Sequence, residues 1–64
     1  MKLRFLGADM TVQEVNVVQV EASDIRPLLD THVKSVEVDG GWWEVYQLAD
    51  TGEMVAYFLD EDDL

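Results

Sequence analysis

The chain has 64 residues, 48% of them hydrophobic, no cysteine, and a formal charge of −10 from 14 acidic and 4 basic side chains. A domain this small buries only about 60% of the surface its unfolded chain exposes, so good packing or a partner chain has to replace the missing disulfides. The charge opposes binding to nucleic acid and anionic lipid, and no run approaches the ~18 consecutive apolar residues of a membrane span.

In chain order, KLRFLG (2–7) alternates Leu3 and Phe5 with Lys2 and Arg4, the period of a strand. Its apolar run ends at Gly7, too short for a secretory signal. With no cysteine either, the expected compartment is the cytoplasm. GADM (7–10) supplies a turn. TVQEVNVVQVEA (11–22) is rich in β-branched valine and reads as a second strand. Val12, Val18 and Val20 share one parity and Val15 and Val17 the other, which calls for a β-bulge near Asn16 or for burial on both faces.

SDIRPLLDTH (23–32) changes character. Ser23 suits an N-cap, Asp24 suits the first turn, and Ile25, Leu28, Leu29 and His32 fall at i, i+3, i+4 and i+7. Pro27 is tolerated near a helix start. The spacing predicts a short helix over 24–32, lying on a sheet through Ile25, Leu28 and Leu29. VKSVEV (33–38) returns to strand character, DGG (39–41) is a turn, and WWEVYQL and EMVAYFL flank ADTG (49–52) as a hairpin closed by Gly52. The expected fold is α+β. It is a single domain over 1–64 in the order β-β-α-β-β-β, an antiparallel sheet with one short helix on one face. The acidic residues 60–64 are expected to leave the sheet and fray.

Adjacent strand residues face opposite sides, so Trp42 and Trp43 cannot both enter one core. A four-residue loop pairs Trp43 with Phe58, and a three-residue loop pairs Trp42 with Phe58. The parity shared with Val45 favours Trp43 as the core residue. Large apolar groups on both hairpin faces predict a second layer, supplied either by the N-terminal hairpin or by an interface, most simply a homodimer.

Catalytic machinery is sparse. The serines and threonines, Ser35 among them, need a base nearby, and the one imidazole, His32, falls on the apolar stripe of the expected helix. DGG lacks the lysine of a phosphate loop, and DEDDL lacks the glycine turn and later glutamate of a calcium loop. No enzyme activity, cofactor or metal is therefore expected. The expected function is a small acidic binding protein that occupies a basic, nucleic-acid-binding surface of a protein partner. An aromatic anchor with an acidic rim would carry it: Trp42, Glu44, Tyr46, Glu53, Tyr57, Asp60, Glu61, Asp62 and Asp63. In composition alone, such a chain resembles small inhibitors of host defence encoded by phage and mobile elements. The alternative is an accessory subunit that oligomerises through an apolar sheet face.

Overall fold

The alternating residues Lys2–Leu6 form strand β1, which pairs antiparallel with β2 (Val12–Asn16), Leu3 standing opposite Val15. This is a computed structural model, and it describes residues 1–63. The expected turn at 7–10 closes through a hydrogen bond from Gly7 N–H to Thr11 O at 2.9 Å, with Met10 in the left-handed region at φ 67°.

The parity conflict in the valine-rich segment is resolved by neither a bulge nor two-face burial. The ladder with β1 runs on to Val17, whose N–H donates to the Met1 carbonyl at 2.8 Å. Val18–Gln19 then form β3 in a different sheet, parallel to β6 (Met54–Asp60). Val17 is the crossing point, so residues on either side of it obey different faces. The second sheet has the order β3-β6-β5-β4, with β4 at Thr31–Val38 and β5 at Gly41–Gln47. It is mixed rather than wholly antiparallel.

The helix expected over 24–32 does not form. The helical pieces among the described residues are 3-10 turns at Ala22–Asp24 and Glu61–Asp63. Three local effects account for the first. Asp24 accepts a hydrogen bond from Glu21 N–H at 3.0 Å and closes its own turn. Ile25 is extended, at φ −88° and ψ 134°. Pro27 disfavours the α region for Arg26 before it. A single turn then spans 26–30, closed by Asp30 N–H to Arg26 O at 2.8 Å and by Arg26 N–H to the Asp30 carboxylate at 2.8 Å. The apolar stripe is lost with the helix: Ile25 is buried, but Leu28 is 98% and Leu29 58% exposed. His32 lies in β4, not on a helix. None of the described helices is long and apolar enough to cross a membrane.

The core lies between the sheets. Leu3 and Val17 from the N-terminal pair meet Val36, Val45 and Ala56 from the larger sheet, with Phe5, Val15, Trp43 and Met54 packed around them. Lys34 lays its ammonium 4.6 Å from the centre of the Phe5 ring, bridging the two layers. The N-terminal hairpin thus covers the face of β5 that carries Trp43 and Val45.

Asp30 ties the crossing segment to the β5–β6 loop. Its fully buried carboxylate accepts from Ala49 N–H at 2.9 Å and Arg26 N–H at 2.8 Å, and it lies 3.5 Å from the Arg26 guanidinium. These backbone donors, Ala49 first, and then the Arg26 charge hold its carboxyl below the ordinary aspartate value of 3.8. A depressed pKa contributes stability that is present above the unfolded value and lost as pH falls through the folded one. Asp30→Asn should therefore melt lower than the native protein at neutral pH, and the gap should narrow as pH falls below 3.8. Thermal melts of both proteins across that range test this; a gap independent of pH would mean that the charge contributes nothing.

Candidate functional site

The β5–β6 register is the one set by a four-residue loop, with Trp43 opposite Phe58. Those rings lie 5.2 Å apart, tilted by 59°, on the core side. The other parity builds the second face of the sheet in three rows. Glu37 of β4, Trp42 of β5 and Leu59 of β6 form one row, and Ser35, Glu44 and Tyr57 the next. His32, Tyr46 and Val55 form the third, brought into line by the register shift between His32 and Lys34. Without that bulge His32 would fall on the core side, because a one-residue slip exchanges the faces of a strand.

Polar contacts are concentrated in the middle of this face. Glu44 is contacted through both carboxylate oxygens: Oε2 lies 2.8 Å from His32 Nε2, and Oε1 accepts the hydroxyl of Ser35. His32 packs edge-on against Tyr46 with ring centres 5.0 Å apart, and Tyr46 stacks on Tyr57 at 6.0 Å and 18°. Burial raises the Tyr57 phenol above its ordinary value, and Tyr46 and Glu44 push it the same way. Serine, histidine and glutamate adjacent to one another invite comparison with a hydrolytic triad, but the geometry is different. In a triad the two ring nitrogens divide the work, one facing the acid and the other the nucleophile. Here Nε2 faces Glu44 and is also the nitrogen 3.4 Å from Ser35 Oγ.

Trp42, Glu44, Tyr46 and Tyr57 are thus brought together, all half-buried. Glu53 is not. It sits in the β5–β6 loop, where its carbonyl accepts from Leu48 N–H at 2.9 Å, at the Tyr46 end of the face and about 20 Å, at the rise of a strand, from the Trp42–Leu59 row. Asp60 belongs to β6, opposite Gly41, so the chain stays in the sheet one residue beyond expectation. Glu61 N–H then donates to Gly40 O at 2.9 Å, and Asp62 N–H to the Asp60 carboxylate at 2.9 Å. Glu61 and Asp62 are exposed beside the 39–40 turn. The side chain of Asp63 and all of Leu64 lie outside the described residues.

Sequence reasoning missed Ser35, Glu37 and His32 as members of this face. Ser35 and Glu37 alternate correctly for it, but a helix over 24–32 would have carried His32 away from them. Together with Trp42, Ser35 and Glu37 line a shallow depression.

The acids at the 39–40 end are uncompensated among the described residues. The chain has 4 basic side chains. Lys2 and Arg4 pair with Glu14, Arg26 with Asp30 and Asp50, and Lys34 lies over Phe5. Glu37, Asp39, Asp60, Glu61 and Asp62 therefore have no basic side chain of the chain against them. No group of three or more potential ligands that could hold a metal ion occurs among the described residues. No protein-family model, curated protein or solved structure matches the chain.

Proposed function

We propose that this chain is a small acidic binding protein, not an enzyme, and that it occupies a basic surface of a protein partner. The observation that carries the reading is the segregation of the second sheet face. Trp42, Tyr46 and Tyr57 lie together there, and Glu37, with Asp39, Glu61 and Asp62 of the adjoining turns, places acids without a basic partner at its Trp42 end, while every lysine and arginine is engaged elsewhere. Aromatic residues in a partly desolvated patch supply affinity, and surrounding charge supplies steering and specificity. Such a surface mimics the charge of nucleic acid and is repelled by nucleic acid itself. A non-catalytic reading is supported by the shared use of His32 Nε2. Affinity capture from a host lysate at low and high salt tests the reading. A basic protein should be retained at low salt and weakened at high salt, because exposed charges are screened over about 10 Å at 0.1 M. Replacement of Trp42 by Ala should release it at both. Capture of acidic proteins alone, or retention indifferent to both salt and Trp42, would overturn the reading.

Self-association as a homodimer or accessory subunit is the second reading. The observation favouring it is the exposed Leu28 and Leu29, which with Ile25 and Pro27 border an apolar hollow. Sedimentation at micromolar concentration distinguishes it, since a clean monomer leaves only the partner-binding reading.

A further inference from the structure

We propose that the depression lined by Ser35, Glu37 and Trp42 is a subsite for one arginine side chain of the partner. The inference rests on the reading of this chain as a binder of basic protein surfaces, and it specifies which cation is taken and by which atoms. A guanidinium is flat, permanently charged and carries five N–H donors with no acceptor. The depression offers the complementary set. Trp42 lines it with its indole, the aromatic side chain that attracts a cation most strongly. Glu37 stands directly across the strand pair from Trp42 and is exposed, with no ion-pair partner among the described residues. Its carboxylate can take a guanidinium through two parallel hydrogen bonds. Ser35 points its hydroxyl proton at Glu44 and has His32 Nε2 at 3.4 Å, which leaves its oxygen one further lone pair with which to accept. The pair Ser35 and Glu44 is itself held in place by His32 on the other carboxylate oxygen. A flat cation stacked on the indole, with its edge toward Glu37 and Ser35, uses all three groups at once. A lysine ammonium is a compact point charge and uses the carboxylate without the stacking. No basic side chain of the chain competes for the place, because each is engaged away from this depression.

The test uses two peptides of equal length and charge, tri-arginine and tri-lysine, each titrated into the isotopically labelled native and variant proteins while the backbone amide resonances of Ser35, Glu37 and Glu44 are followed, together, where Trp42 is present, with its indole N–H resonance. Tri-arginine should move these resonances and bind several-fold tighter than tri-lysine. Glu37→Gln and Trp42→Leu should each weaken tri-arginine about five- to tenfold and remove its advantage over tri-lysine. Glu37 is exposed, so its variant keeps the fold and serves as the control should Trp42→Leu destabilise the domain. If both peptides bind alike with salt-sensitive affinity, or if the variants bind tri-arginine as the native protein does, the arginine subsite is refuted and the acidic binding surface stands. If neither peptide binds, both readings fall.

Discussion

Replacing Trp43 with Ala should cost about 3 kcal/mol of stability, while the same change at Trp42 should cost about 1 kcal/mol and act on binding instead. The two residues are chemically identical neighbours, both half-buried. Trp43 packs on the cluster of Leu3, Val17, Val36, Val45 and Ala56 and against the Phe58 ring. Truncating it leaves a cavity between the two sheets, and its partial exposure keeps the cost at the lower end for a core tryptophan. A domain of this length holds roughly 3–10 kcal/mol in all, so the Trp43 variant sits at the edge of unfolding. Trp42 faces Glu37 and Leu59 on the second face, outside that cluster. Its loss should remove 2 kcal/mol or more, on the order of a binding hot spot, from the complex with a basic partner. Urea denaturation and partner titration on both single variants measure the contrast. Equal loss of stability would mean that both faces are structural, and the second face would then cease to be a candidate interface.

Gly41→Ala should be about as damaging, at roughly 3 kcal/mol or complete loss of folding. Gly41 is buried at the start of β5, paired with Val38 on one side and Asp60 on the other. A methyl group there would overlap the Leu59 carbonyl oxygen and approach the Phe58 ring at 2.7 Å and Asp60 Cα at 3.1 Å. The oxygen and Cα belong to strand backbone, so relief requires β5 and β6 to separate at that end. The neighbouring Gly40 is the control. It needs its positive φ of 83°, but a methyl group added to it would meet nothing within 4 Å. Gly40→Ala should therefore cost only about 1–2 kcal/mol in backbone strain. Denaturation of the two variants side by side gives the answer. If Gly41→Ala is as stable as Gly40→Ala, the close approach of the two strands is not a constraint on the fold.

Where local rules sufficed, the sequence was legible. Alternation placed Leu3 and Phe5 toward the core, and the turns at 7–10 and 39–40 formed where glycine and short polar residues indicated. The hairpin loop of 49–52 adopted one of the two registers that its length allowed. The opposite orientation of Trp42 and Trp43 follows from strand geometry alone, and so does the joining of Trp42, Glu44 and Tyr46 on one face. The spacing over 24–32 misleads because a 3.6-residue period is only a statement about one possible local conformation. Ile25, Leu28, Leu29 and His32 satisfy it by coincidence. Pro27 disfavours it, and Asp30 fills the role of a helical hydrogen-bond partner with its side chain.

The charge imbalance, most strand positions, the turns and the split between the two tryptophans were all readable from the chain, because each follows from composition or from interactions a few residues apart. Three features emerged only from the folded molecule. Val17 hands the chain from one sheet to the other, the N-terminal hairpin covers the Trp43 face, and a bulge carries His32 to Glu44 and Ser35. Each of those depends on hydrogen bonds and packing between segments far apart in the chain: Met1 with Val17, Leu3 with Val36, Val45 and Ala56, and His32 with Glu44. Periodicity carries no record of such partners, since a strand of either register presents the same alternating pattern until its neighbour is known.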